Sequence, residues 1–138
     1  MPFFGKASEE KLSQLHPKLV TVARTVIQVM DFTVVYTLRS PEEQKFLLSI
    51  GQSKTLDSKH LLQPDGFAWA IDVAPFYAWK RPQIDWNDKK AFYYLAGMFV
   101  QAAYLLDVNI RYGGDWNMND DLNDQTFFDL GHFELLTV

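Results

Sequence analysis

The sequence contains no cysteine. Disulfide stapling and thiolate metal ligation are therefore excluded, and any zinc must be held by nitrogen and oxygen. That absence fits synthesis in a reducing cytosol without barring work elsewhere. Long apolar runs are lacking too. The stretch from Ala91 to Leu106 is interrupted by Gln101 and flanked by charge, too short for a transmembrane span, so no stable membrane insertion is expected. Residues Met1 to Glu10 show no basic segment leading into an apolar one, so no signal peptide is expected. Repeats, low-complexity tracts and linkers are also missing. Basic residues stop at Arg111, whereas Asp115, Asp120, Asp121, Asp124, Asp129 and Glu134 all follow it. With a formal net charge of -4, the chain lacks the basic face of a general nucleic-acid binder. Its acidity is concentrated near the C-terminus, where it would draw cations.

What is present is a chain of 138 residues, enough for one domain with a real core. A hydrophobic content of 48%, with 15% aromatics, excludes disorder, because so much apolar surface must be buried. Leu12, Leu15, Leu19, Val22, Val26 and Val29 recur at helical spacing between Ser8 and Met30. Pro17 interrupts that stripe and should start a second helix there, with His16 as an ordinary residue just before it. The β-branched and aromatic run from Phe32 to Leu38 predicts a strand. Ser40, Pro41 and Glu43 together form a helix start with a capping box, and the helix should stop at Gly51. Residues 51–67 read as loop, and Trp69 to Ala74 as a strand. Pro75 to Asp85 reads as an excursion. A long helix is expected from about Asn87 to Leu106, burying Phe92, Leu95, Phe99, Ala102 and Leu106. Short strands at Asn109–Tyr112 and His132–Leu136 complete the pattern. Helices and strands mix without regular alternation, which predicts an α+β domain with an antiparallel sheet.

Two distant segments hold residues of metal-ligating type. One contains Ser58-Lys59-His60 and, further on, Asp72; the other contains Asp129-Leu130-Gly131-His132. Two imidazoles and a carboxylate make a three-ligand set of catalytic type, which leaves a position open for water. That chemistry is metal-assisted hydrolysis. If the last segment is a strand, His132 and Glu134 share a face, and Glu134 is placed to orient a ligand or bind substrate. Ser58, two positions before His60, is placed for similar work. The acidic segment offers oxygen at alternate positions, Asp115, Asn117, Asn119 and Asp121, as calcium loops do. Asp120 stands where such a loop wants glycine and Thr126 where it wants glutamate, so a solvated polar loop competes with the calcium reading.

Several ordered motifs carry a family resemblance: Ser58-x-His60, Ala70-x-Asp72-x-Ala74-Pro75, Arg111-Tyr112-Gly113-Gly114-Asp115-Trp116 and Asp129-x-x-His132-Phe133-Glu134-Leu135. The segment from Tyr36 to Gln44 resembles the arginine motif of the same group. Together they resemble the zinc D,D-/L,D-peptidases related to D-Ala-D-Ala carboxypeptidases, most of all the phage endolysins that cleave L-alanyl-D-glutamate bonds in peptidoglycan. The likeness runs from about residue 5 to 136. It departs between His60 and Asp72, where Leu61 to Ala68 carries extra residues.

The resemblance implies the D-Ala-D-Ala carboxypeptidase/Hedgehog-like fold, with residues 1–138 as a single catalytic domain and no separate wall-binding domain. It implies zinc held by His60, Asp72 and His132, Asp129 as general base and acid, and Arg39 facing the carbonyl oxygen as negative charge grows there. Gln44 joins Ser58 and Glu134 as a residue for substrate or ligand support. The partner implied is a peptidoglycan stem peptide. The chain is expected to act as a monomer, made in a host cytoplasm and working in the periplasm once the membrane has been opened. The residues alone leave open a D-Ala-D-Ala carboxypeptidase or dipeptidase, and a non-catalytic peptidoglycan-binding module with structural zinc.

Overall fold

A computed structural model of the chain describes residues 2–138. Strands β1 (Phe32–Tyr36), β2 (Ala70–Pro75), β3 (Ile110–Tyr112) and β4 (His132–Leu135) form one sheet in the order β1-β2-β4-β3, antiparallel throughout. Among the described residues there are four helices: α1 (Lys6–Leu12), α2 (Pro17–Ile27), α3 (Pro41–Ser49) and α4 (Lys89–Leu105). This is the α+β arrangement that the sequence pattern predicts.

Alternation along the strands divides the molecule into a core side and a site side. Phe32 and Val34 of β1, Ile71 and Val73 of β2, and Phe133 and Leu135 of β4 enter one apolar cluster. Leu12, Leu19, Val22, Val26, Leu95 and Phe99, from α1, α2 and α4, cover them. Phe133 stacks on Phe99 with ring centroids 4.3 Å apart and on Tyr112 at 5.0 Å. Burying each such side chain contributes about 1.5–3 kcal/mol. Asp72, His132 and Glu134 fall between these core positions and therefore face the other way.

Local signals set the helix ends. Pro17 opens α2, where the His16 ring accepts the Lys18 N–H. Ser40 and Glu43 form the reciprocal capping box of α3, and Gly51 takes a φ of +78° just beyond it. Two expectations need correction. Val29 is 72% exposed, because α2 ends at Ile27 and the stripe does not continue through Gln28. Leu106 is 40% exposed, because it caps α4 beyond the last packed turn.

Residues 61–68, between His60 and Asp72, fold into a local turn. Gln63 and Phe67 are bridged by a backbone hydrogen bond, Gly66 adopts a φ of +89°, and Asp65 accepts the Trp69 indole N–H at 2.8 Å. Ala68 then bridges to Leu15, so this turn is anchored on the helical side just before β2.

Candidate metal centre and cleft

The register of β2 with β4 sets Asp72 directly opposite His132. His60 comes from a loop, but that loop is stitched in place. The Arg39 N–H donates to the His60 carbonyl at 2.9 Å and the Trp69 N–H to the Lys59 carbonyl at 2.8 Å. Ser58 Oγ accepts the His60 N–H at 3.1 Å, so this serine shapes the backbone beside the histidine. The three side chains thereby meet. Asp72 Oδ1 lies 3.0 Å from His60 Nε2 and 2.9 Å from His132 Nδ1, and the two nitrogens are 3.2 Å apart.

Hydrogen bonds on the far side of each ring fix which nitrogen faces inward. His60 Nδ1 is 2.7 Å from the Thr37 carbonyl, which only accepts, so Nδ1 carries the proton and Nε2 presents a lone pair. His132 Nε2 donates to Glu134 Oε1 at 2.8 Å, which leaves the Nδ1 lone pair facing Asp72. Two nitrogen lone pairs and a carboxylate oxygen therefore converge on one place, and only positive charge reconciles them. Where no metal is bound, a proton on His132 Nδ1 supplies that charge: burial would lower the His132 pKa, but its hydrogen bonds to Asp72 and Glu134 overcome this and push it up to about 10. Burial would likewise raise Asp72, yet the charges and hydrogen bonds of the two imidazoles hold it far below the usual carboxylate range.

The donor set fits a small divalent cation. Ligands about 2.0–2.1 Å from zinc in a tetrahedron lie about 3.3 Å from one another, close to the edges of this triangle. Among the described residues, His60, Asp72 and His132 are the one group of three or more His, Asp or Glu side chains so arranged.

Behind the triad stand two arginines. Arg39 donates to Asp72 Oδ2 at 2.9 Å and to Gln44 Oε1 at 3.1 Å, and its guanidinium lies 4.5 Å from the Tyr36 ring centroid. Arg39 thus holds the Asp72 carboxylate while also lining the cleft. Gln44 is 1% exposed and donates to Ser53 Oγ and the Thr55 carbonyl, tying Arg39 to a cleft wall without lining either cavity beside the triad. Arg111 donates to Glu134 Oε2 at 2.9 Å, completing a chain from arginine through carboxylate to His132. The sequence reading did not assign Arg111 this part. Its signal was the pairing of opposite charges across β3 and β4, where Arg111 and Glu134 are register partners.

Asp129 is half-buried, with Oδ2 3.8 Å from His132 Nδ1. Burial and the neighbouring Asp72 charge raise its pKa to about 6, against the pull of His132, His60 and Arg39. Gly113 makes its position possible. Asp129 donates its N–H to the Gly113 carbonyl at 2.9 Å, and a Cβ at residue 113 would collide with the Asp129 carbonyl oxygen.

The acidic loop is closed on itself. Asp115 accepts the N–H groups of Asn119 and Asp120, Asn119 accepts that of Asp121, and Asp124 binds the amides of Asn117, Asn119 and Gln125. Asp115, Asn117, Asn119 and Asp121 are thus brought into one loop with several oxygens already engaged.

Two cavities flank the triad. One, of about 690 Å³, is lined by His60 and His132; the other, of about 630 Å³, by Asp72. Arg39, Gln52 and Asp129 line both, so the cleft runs past the triad on either side.

Fold and site together are those of a small α+β peptidase. The structure matches the crystal structure of the Serratia marcescens L-Ala D-Glu endopeptidase ChiX with a TM-score of 0.73 and 27% identity, over 98% of this chain and 90% of that one. The chain belongs to the phage L-alanyl-D-glutamate peptidase family, whose model matches residues 1–136. It is also 36% identical over 141 residues to the L-alanyl-D-glutamate peptidase of Escherichia phage T5, covering 96% of this chain and 97% of that protein.

Proposed function

We propose that the chain is a zinc-dependent endopeptidase that cleaves the L-alanyl-D-glutamate bond of peptidoglycan stem peptides, as a phage endolysin. The observation that carries this reading is the convergence of His60 Nε2, His132 Nδ1 and Asp72 Oδ1 within 3.2 Å of one another. Zinc bound there would supply Lewis acidity and lower the pKa of water to about 7. Three protein donors suit a catalytic ion better than a structural one, which is normally closed by four. A carboxylate beside them also argues against a non-catalytic module.

This chain's own residues have separable tasks. Asp129 takes the proton of the attacking water and returns it to the leaving amine. Arg39, at the junction of the two cavities, faces the carbonyl oxygen while bracing Asp72. Glu134 keeps the proton on His132 Nε2, so that Nδ1 remains a donor to metal. Thr37 does the same for His60 through its carbonyl.

A cleft continuing on both sides of the triad suits a bond inside a peptide, whereas a D-Ala-D-Ala carboxypeptidase must recognise a free terminus. In this reading residues 1–138 form one catalytic domain that acts as a monomer. The protein would reach the periplasm from the host cytoplasm after the membrane is opened; among the described residues, no helix is long and apolar enough to cross a membrane. Calcium in the loop at Asp115–Asp121 is a separate proposal, since a cation would have to replace internal hydrogen bonds. Activity and thermal stability indifferent to added calcium would end it.

Mass spectrometry of purified peptidoglycan digested with the zinc-loaded protein tests the main reading. New alanyl carboxyl ends and glutamyl amino ends are expected. Release of terminal D-alanine alone would instead establish the carboxypeptidase, and an undigested wall would establish neither enzyme.

A further inference from the structure

The two sides of the cleft differ in chemistry. Lys54, Lys59, Arg111 and Trp116 stand in the wall of the first cavity. Tyr36, Leu47, Trp86, Phe92 and Phe128 wall the second, where Arg39 at the shared waist is the only cation among the lining residues. Three buried donors lack a partner among the described residues: Arg39 Nε, Arg111 Nε and Trp116 Nε1. The first belongs to the waist, where a bond would be cut. The other two belong to residues that wall the first cavity and do not reach the second.

These two donors are neighbours, with Arg111 Cζ 5.3 Å from the Trp116 ring centroid. A buried N–H without an acceptor is costly, and an acceptor bound in the cavity that both residues wall would relieve that cost once their side chains turn toward it. The carboxylates in the same wall do not meet that need. Glu134 is held by Arg111 NH2 and His132, and Asp124 by Asn117, Asn119 and Gln125. Asp129 sits at the waist and Asp57 is exposed. Lys54 and Lys59 make no ion pair among the described residues; they lie over the rings of Phe127 and Trp69.

Glutamate carries one carboxyl group more than a peptide chain needs, whereas alanine carries only a methyl. Building on the peptidase function proposed above, we infer that the substrate crosses the waist in one direction: its glutamyl half occupies the first cavity, with the spare carboxylate received by Arg111 and Trp116, and its alanyl half occupies the apolar second cavity. The opposite direction would set that carboxylate against Trp86, Phe92 and Phe128. Arg111 thus both braces Glu134 and reads the acid beside the cleaved bond.

The test uses two L-alanyl-D-glutamyl peptides that differ only in whether the spare carboxyl is free or converted to a carboxamide. With zinc-loaded wild-type protein, kcat/KM should be at least about 10-fold higher for the acid, mainly through KM, because a charge-assisted contact is lost in the amide. Arg111→Gln should bring the ratio close to one, and Trp116→Phe, which removes one N–H but keeps a ring, should narrow it. Zinc content measured on each variant separates lost recognition from a loosened Glu134–His132 pair. Should Arg111→Gln lose zinc, the wild-type comparison and Trp116→Phe decide. Equal cleavage of both peptides by wild type, or a preference that survives Arg111→Gln with zinc retained, overturns this assignment alone. Cleavage of neither peptide overturns the peptidase function and the assignment with it.

Discussion

At the scale of single residues, the donors and the residues that orient them can be separated by experiment. Asp129 is not needed to build the triad, whose distances involve only His60, Asp72 and His132. Asp129→Ala should therefore fold and retain zinc while losing turnover by about 100- to 10,000-fold, the usual contribution of a positioned base. Measurement of kcat alongside zinc content checks this, and unchanged turnover would point to another base. Glu134 behaves oppositely. Glu134→Ala removes the acceptor of the His132 Nε2 proton and leaves Arg111 unpaired, so zinc should bind about 10- to 100-fold more weakly. Competition with a coloured chelator reads that change directly. Residue types and motif order made His60, Asp72, His132 and Asp129 legible in the sequence as candidates, and the structure brings their side chains together. Arg111 was not, because a brace depends on which strands become neighbours, and β3 meets β4 only after a long loop. Gln44 could be singled out, yet its task became clear only with its partners, Arg39, Ser53 and Thr55.

At the scale of elements, period and punctuation predicted most of the fold. The proline at the start of α2, the capping box of α3 and the alternation in β2 and β4 are local chemistry, so they read directly. Val29 and Leu106 misled because a stripe of apolar residues does not say where the last packed turn ends. Pairing order was equally hidden, since β2 lies between β1 and β4 for reasons of packing. One glycine shows how tight that packing is. A Cβ on Gly131 would strike the Val73 carbonyl oxygen where β2 passes the start of β4. Gly131→Ala should cost about 1–3 kcal/mol in urea unfolding, the range for forced overpacking, and should weaken zinc binding by shifting His132. Stability and zinc affinity equal to wild type would show that the strands yield there. Ser40→Ala is a milder change: losing the α3 cap should cost about 1 kcal/mol with zinc affinity unaltered.

The whole molecule is a helical layer on one face of a sheet and a cleft on the other. The three proposed ligands come from a loop, a central strand and the strand beside it. A cation shared by such distant segments should couple binding to stability. Stripping the metal should lower Tm by at least about 5 °C relative to protein with zinc in excess, and zinc should restore it. Calorimetry on both forms measures the shift.

The central claim is that His60, Asp72 and His132 hold one zinc ion on which hydrolysis depends. It is met most directly by titrating metal-free protein with zinc while following cleavage of an L-alanyl-D-glutamyl peptide. Activity should rise from near zero and level off at one equivalent per chain. Full activity in the metal-free protein, or a response to zinc that is unchanged when His60 and His132 are both replaced by alanine, would contradict it.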